Sequence, residues 1–330
     1  MSGLGSGASV ELLLPTHNGE RYLPALLDSL FAQRYGPFTI VTRDDGSADG
    51  TAAIVADYAR RYPGRIRILP SPGRQTGAAA NFAALIASAE ADFVFFCDQD
   101  DVWLPDKMAV TSAAMARLVL RHGHGRPLLV HTDLAVVDAG LKPLGASLHL
   151  YAGFDPTRSR FGELLLGNVV TGCTMLANRA LYSLARPIPE AAVMYDHWLA
   201  QVAAALGEIE FVDEATILYR QHESNVIGVK PVGLLRFLRS VRRTIFGDST
   251  LRVLCGYSEH ARIVLARYGE RLDPVQRSQA AALSGAWDVP RLKRYAQLGK
   301  AGLRKPRLAG RIALFLLLLR NRVLADGAPP

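Results

Sequence analysis

With 330 residues, 49% hydrophobic and 21% charged, the chain can bury a full core, which excludes a largely disordered protein. Its three cysteines, Cys97, Cys173 and Cys255, are far apart and form no Cys-x-x-Cys pair, which excludes a disulfide framework or a zinc site built on such pairs. The net charge of +8 hides an asymmetry: 18 Lys/Arg face 24 Asp/Glu through residue 229, and 20 face 6 from residue 230 onward, so only the last third calls for an anionic partner.

Residues 1–9 are Gly/Ser-rich and lack a basic stretch followed by a long apolar one, so they read as a flexible lead-in and not as a secretory signal. From residue 10 short apolar runs alternate with amphipathic stretches, the pattern of a mostly parallel sheet covered by helices. A first strand is expected at 10–14, stopped by Pro15, then a helix at 22–33 with Leu23, Leu26, Leu27 and Leu30 on one face. A strand at 38–42 ends at Asp44-Asp45-Gly46-Ser47, and a helix at 48–62 turns Ile54, Val55 and Tyr58 inward. A third strand at 65–69, a helix at 81–89 and a fourth strand at 93–97 follow, the last ending at Asp98-Gln99-Asp100-Asp101. Strand material is expected at 128–132, 135–137 and 169–176, with a helix starting at 161–166. A helix at 196–206 and strands at 210–212 and 215–219 close the first domain.

Polar clusters therefore fall at the carboxyl ends of strands, where open α/β sheets bind ligands. No Gly-x-Gly-x-x-Gly follows the first strand and no phosphate loop ends in Gly-Lys-Ser/Thr, so an ordinary dinucleotide or ATP site is excluded. Asp98, Asp100 and Asp101 stand directly after the apolar run Phe93-Val94-Phe95-Phe96. Like charges this close raise one another's pKa unless a cation joins them, and hard divalent ions prefer carboxylate plus phosphate oxygens. A metal bound to a diphosphate meets both demands; a solvated turn would suit a single Asp better than this cluster.

Four segments together resemble glycosyltransferase family 2, most closely its bacterial rhamnosyltransferase-like branch. They are Pro15-Thr16-His17-Asn18-Gly19-Glu20-Arg21-Tyr22-Leu23, Asp44-Asp45-Gly46-Ser47, Phe96-Cys97-Asp98-Gln99-Asp100-Asp101 and Trp103-Leu104-Pro105-Asp106-Lys107. The resemblance spans roughly residues 10–228 and implies an α/β GT-A nucleotide-diphospho-sugar transferase fold with a helical C-terminal extension. It divides the chain into a catalytic domain at 10–229, with a donor part at about 10–107 and an acceptor part at about 108–229, and a basic helical region at 230–330.

The same resemblance implies roles. Pro15 meets the donor's base, and Asp45 accepts from the pyrimidine N–H, although Asp44 and Asp45 also suit an Asx turn. Asp100 holds a divalent metal, Mg²⁺ or Mn²⁺. Asp98 orients the ribose or the motif itself, and Asp101 supports from behind. Asn81 either approaches the ribose or starts the next helix. In Tyr219-Arg220-Gln221-His222-Glu223-Ser224-Asn225, Arg220 or His222 reaches the diphosphate or the metal. Gly172 and Cys173 lie beside the acceptor, as does Trp198. Asp196 in Met194-Tyr195-Asp196-His197-Trp198 is the candidate base for an inverting displacement; on spacing alone it is equally a helix N-cap. The implied partners are a dTDP- or UDP-sugar, with dTDP-rhamnose first, and a glycan or lipid-linked glycan acceptor of the bacterial cell surface. A sugar-phosphate nucleotidyltransferase would need a glycine-rich, Arg/Lys-containing N-terminal loop that is absent. An inactive carbohydrate-binding relative would have no reason to keep Asp45, Asp100 and Asp196.

In the last third, residues 231–246 read as a basic amphipathic helix, and Arg304, Lys305, Arg307 and Arg311 precede the apolar run 312–319, with Arg320 and Arg322 after it. That run is too short to cross a membrane, which takes about 20 residues. Such helices lie in a membrane interface, which gives a cytoplasmic enzyme with peripheral attachment to the inner membrane face; alternatively they pack on the protein or on a second copy, as in a homodimer. No nucleic-acid motif accompanies the charge.

Overall fold

A computed structural model describes residues 4–5, 7–190, 194–222 and 248–320. The expected amphipathic helix at 231–246, the motif residues Glu223, Ser224 and Asn225, Arg322 and the boundary at 229/230 lie outside the described residues. The chain divides into two compact units, one of Met1–Pro156, Val170–Ile188 and Gly207–Pro231, the other of Thr157–Val169, Pro189–Leu206 and Val232–Pro330.

In chain order the first part holds β1 (Val10–Thr16), α1 (Leu23–Phe31), β2 (Thr39–Asp44), α2 (Thr51–Arg61), β3 (Ile66–Ile68), α3 (Ala78–Ser88) and β4 (Phe93–Phe96). Then come β5 (Val102–Trp103), α4 (Lys107–His122), β6 (Leu128–Asp138), β7 (Pro143–Gly145), α5 (Leu148–Ala152) and α6 (Phe161–Leu164). The rest are β8 (Leu176–Asn178), α7 (Arg179–Ala185), α8 (Tyr195–Leu206), β9 (Glu208–Gln221), α9 (Asp248–Tyr268), α10 (Pro274–Ser284), α11 (Arg291–Lys300) and α12 (Leu308–Leu318).

The first unit is built on one sheet in the order β3-β2-β1-β4-β8-β6-β9-β5, with β7 on β6. The β3-β2-β1-β4 side is parallel throughout, so the ends of β1, β2 and β4 open at one edge. Leu12, Leu14, Ile40, Phe93 and Phe95 from these strands share a buried cluster with Leu23, Leu26, Leu27 and Leu30 of α1. Burial at about 25 cal/mol per Å² of apolar surface is what holds such a layer on its sheet.

Pro15 does not stop β1, which runs on to Thr16. The Leu13 carbonyl accepts from Cys97 N, and Pro15, two residues on, faces the same side, beyond the last residue of β4. Its missing N–H therefore costs no ladder bond. The expected strand at 169–176 is likewise shorter: a buried 3₁₀ turn at Gly172–Thr174 precedes a strand of three residues, β8.

The two pairs of short strands expected at 128–137 and 210–219 are two continuous strands, β6 and β9, paired in parallel. Their register shifts at Asp133, where Thr132 pairs with Val212 and Asp133 with Ala215. Polar residues at this bulge interrupt the apolar runs without interrupting the strands.

The second unit is helical. Asp273 caps α10 in a reciprocal capping box with Gln276, and Pro274 occupies the first turn. Arg294 donates to the carbonyls of Leu318 and Arg320 at 3.0 and 2.8 Å, satisfying the open C-terminal end of α12. Lys305 donates to the carbonyl of Leu166. Part of the basic charge of the last third thus works inside this unit. No helix among the described residues is long and apolar enough to cross a membrane.

Candidate active site

At the carboxyl edge of the parallel strands Asp44, the last residue of β2, and Asp45, just after it, divide their work. Asp44 makes the turn: Oδ1 accepts from the hydroxyls of Thr16 at 3.0 Å and Ser47 at 2.5 Å, and Oδ2 from Ser47 N at 2.8 Å. Asp45 is buried, and its Oδ2 accepts from Thr76 N at 2.9 Å and Gly77 N at 2.7 Å, while Oδ1 accepts from the Thr76 hydroxyl at 2.5 Å. A carboxylate has about four lone-pair sites, so three bonds leave Asp45 one acceptor position.

Those bonds pin the segment entering α3, whose cap Gly77 has φ +91°, a conformation that favours glycine. The helix starts at Ala78, so Asn81 does not start it; its side chain is buried, donating to the Arg43 carbonyl and accepting from the Arg43 guanidinium, both at 3.0 Å. Asn81 is thereby committed to holding α3 on β2.

The acidic segment after β4 is held at both ends. Its start lies in the sheet, and its end enters β5, which pairs antiparallel with β9 through Val102–Leu218 and Trp103–Ile217. That register carries the end of β9 back along Asp101 and Asp100. Arg220 N donates to Asp101 Oδ1 at 3.2 Å, Arg220 Nε to the Asp100 carbonyl at 2.8 Å, and Arg220 Nη1 to the Ala139 carbonyl at 2.7 Å. The guanidinium also lies over the ring of Tyr22, 4.6 Å from its centroid. Arg220 is buried and acts as a clamp on the acidic segment, a position that engages several of its donors before any diphosphate is considered.

His222 then meets Asp100, with Nε2 2.7 Å from Oδ2. Both side chains keep some exposure, 13% and 21%, and the His222 ring packs on Tyr22 at 4.8 Å. An imidazole nitrogen beside a carboxylate oxygen, partly open to solvent, is a donor set that suits a divalent ion. A second grouping, Asp98, Asp101 and Cys173, also has ligand atoms within 4.8 Å of one another. It suits a metal less well: burial, reinforced by Asp98 and Asp100, pushes the Asp101 carboxyl well up, and burial pushes the Cys173 thiol up. Metal ligands must be deprotonated, and both shifts oppose that.

Behind this cluster Lys107 is fully buried, and its Nζ has no hydrogen bond among the described residues. It lies 4.6 Å from the Trp103 ring centroid and 5.7 Å from that of Phe95, and burial brings its pKa down to about 8. Gln99 points the other way: it accepts from His17 N at 2.9 Å and donates to the His17 carbonyl at 2.8 Å, tying the loop after β1 to the acidic segment. Tyr22, Gln99 and Thr76 carry no signal as site residues in a pattern search. For Tyr22 and Gln99, their positions inside the resembling segments are the available hint; Thr76 lies outside those segments.

On the acceptor side, Gly172 and Cys173 form the buried 3₁₀ turn that closes on Asp98 and Asp101. Asp196 belongs to the second unit, as the second residue of α8 and not its cap, and its Oδ1 accepts from His197 N at 2.6 Å. Trp198 is fully buried, packed beside Tyr268 and His260 with Arg267 over its face. That packing makes it a core residue and removes it from contact with an acceptor. His197 is also buried, with Nε2 2.6 Å from the Leu164 carbonyl, and burial lowers its pKa to about 3, so it is neutral near pH 7.

Residues 12–118 match the family described as Glycosyl transferase family 2. Over 242 residues the chain is 28% identical to the dTDP-rhamnosyl transferase RfbG of Shigella flexneri, covering 68% of this chain and 79% of that protein. It is 27% identical over 216 residues to the uncharacterised protein Rv1520 of Mycobacterium tuberculosis, covering 64% of this chain and 58% of that longer relative. Among solved structures, S. aureus TarS 1-349 in complex with UDP-GlcNAc has the same fold, with a TM-score of 0.53 at 17% identity over 94% of this chain and 90% of that one. The family match over residues 12–118 and the likeness to a dTDP-rhamnosyl transferase support a glycosyltransferase family 2, rhamnosyltransferase-like protein, and the likeness to TarS shows the GT-A fold.

Proposed function

We propose that the protein transfers rhamnose from dTDP-rhamnose, with inversion, to an acceptor hydroxyl in bacterial cell-surface polysaccharide or lipid-linked glycan synthesis. The observation that carries the reading is the Asp100–His222 pair, 2.7 Å apart at the sheet edge where strand ends converge. The choice of sugar is supported by the likeness to a dTDP-rhamnosyl transferase. Asp100 and His222 would hold Mg²⁺ or Mn²⁺, with Asp98 alongside. The chemistry such an ion supplies when bound is neutralisation of charge on the departing diphosphate.

The chain's own residues supply the rest. Arg220 fixes the backbone of Asp100 and so the direction of its carboxylate. Asp45 holds the Thr76–Gly77 segment and has one acceptor site left for the N–H of a pyrimidine. Pro15, at the end of β1, lines the place of the base. Asp196 accepts the proton of the acceptor hydroxyl at a carboxylate oxygen as that hydroxyl attacks the anomeric carbon, and the carbon–oxygen bond to the diphosphate breaks on the opposite face. Incubating purified protein with a panel of nucleotide sugars tests the donor. Release of dTDP from dTDP-rhamnose should exceed release from the other donors by at least ~10-fold. Faster turnover of a UDP-sugar would overturn the choice of rhamnose.

The C-terminal unit supports peripheral attachment to an anionic membrane. On α12, Leu308, Ile312 and Phe315 are 71%, 50% and 39% exposed and share one face by their spacing, with Arg307 and Arg311 beside them, while Leu314, Leu317 and Leu318 are buried. An apolar stripe rimmed by arginines fits an interface rich in anionic lipid, where an acceptor carried on a lipid would be presented. Binding to phosphatidylglycerol-containing vesicles is expected to weaken with salt and to fall by about 10-fold or more in Ile312→Asp/Phe315→Asp. Equal binding by the variant would remove this stripe as the contact.

A further inference from the structure

A second meeting of ionisable side chains lies in the first unit, away from Asp100. Asp133 on β6, His149 on α5 and Asp213 on β9 offer ligand atoms that all lie within 4.8 Å of one another. Asp133 is 6% exposed. Its Oδ1 accepts from Leu148 N at 3.1 Å, which leaves Oδ2 3.1 Å from His149 Nδ1.

That short separation is not a hydrogen bond. His149 Nδ1 is buried and lacks a hydrogen-bond partner among the described residues, because the direction from Nδ1 to the carboxylate is wrong for one. A protonated imidazole paired with Asp133 would be expected to point its N–H at the oxygen. Two atoms held at about 3 Å without such a bond instead have the spacing of neighbouring ligands around one ion. Phe211 fixes the imidazole from the side, edge-on at 5.7 Å, and also packs on His131 at 5.0 Å.

The third ligand arrives through a backbone irregularity. Val212 pairs with Thr132 and Ala215 with Asp133, so Asp213 and Glu214 are the surplus residues of the bulge on β9. Bulges re-aim side chains, and this one brings Asp213, which is exposed, within reach of a carboxylate that is nearly all buried. Two acids this close repel unless a cation joins them.

We propose that Asp133, His149 and Asp213 form a second divalent-cation site that takes a transition ion such as Zn²⁺ or Mn²⁺. One imidazole nitrogen with two carboxylate oxygens is a donor set that suits these ions. Three protein ligands leave a position for water on the solvent side, next to Asp213. The site is separate from Asp100 and His222: Asp213 on β9 and His222, just past the end of that strand, stand nine residues apart, roughly 30 Å of extended chain. Its effect is to fasten α5 and the bulge of β9 to β6.

Zn²⁺ titration of chelator-stripped full-length protein tests the site, with bound metal per chain counted after gel filtration and the unfolding midpoint recorded. The background is Asp100→Ala/His222→Ala, so the pair at the sheet edge contributes nothing. In that background one Zn²⁺ per chain should remain and raise the unfolding midpoint, and adding Asp213→Asn or His149→Gln should weaken Zn²⁺ binding by at least ~10-fold. Asp213 is exposed, so its variant tests binding without disturbing the core. No Zn²⁺ bound in the background protein would overturn the proposal, as would binding unchanged by both added substitutions.

Discussion

Asp100→Ala should lower sugar transfer by about a thousandfold, on the scale seen when a group that stabilises transition-state charge is removed. The reason lies in what the substitution spares. Arg220 Nε holds the Asp100 carbonyl, not its carboxylate, so the clamp on the segment survives the change. The Arg220 N bond to Asp101 Oδ1 survives too. Only the carboxylate facing His222 Nε2 is lost, and that side chain is 21% exposed, so no core cavity opens. Donor binding should weaken, and more Mn²⁺ should be needed for half-maximal rate. His222→Ala should shift the metal requirement the same way. Initial rates over a range of Mn²⁺ concentrations check this. An unchanged metal requirement in both variants would detach the pair from donor binding.

The pairing behind that prediction was only half legible in the chain. Asp100 and His222 are each visible in a motif, but 122 positions separate them, and only the register of β5 on β9 brings them together. The carboxyl-edge placement of the acids was readable because β1, β2 and β4 are short apolar runs ended by polar clusters. The division of labour between Asp44 and Asp45 was not, since both are acids in one turn and only three-dimensional partners tell them apart. The sequence reading has no helix at 107–122 because the buried face of α4 uses Thr111, Ser112 and Ala114 beside Met108, Met115 and Leu118, which blunts the 3.6-residue pattern. Breaks expected inside β6 and β9 came from Asp133 and Asp213, polar residues at a bulge that an apolar-run criterion reads as strand ends. Trp198 misled for the opposite reason. Its place two residues after the candidate base puts it on the acceptor side in the sequence, yet the residue is part of the packing of the helical unit.

Asp196→Asn should cut the rate constant for transfer by about a thousandfold while leaving donor affinity within about twofold of the wild type. Asparagine keeps the shape, and its carbonyl oxygen can still accept from His197 N, the bond that Asp196 Oδ1 makes at 2.6 Å at the start of α8. The network deeper in the unit does not depend on the charge: His197 Nε2 lies against the Leu164 carbonyl, and Gln201 donates to the same oxygen at 3.1 Å. What disappears is the capacity to take a proton. Removing a base that acts only as the acceptor hydroxyl attacks lowers the rate without changing how tightly the donor is held. Single-turnover rates and donor binding measured side by side separate the two roles of Asp196. A structural role at the helix start would lower stability and donor affinity together with the rate, whereas a base gives a slow enzyme that still folds and still binds dTDP-rhamnose.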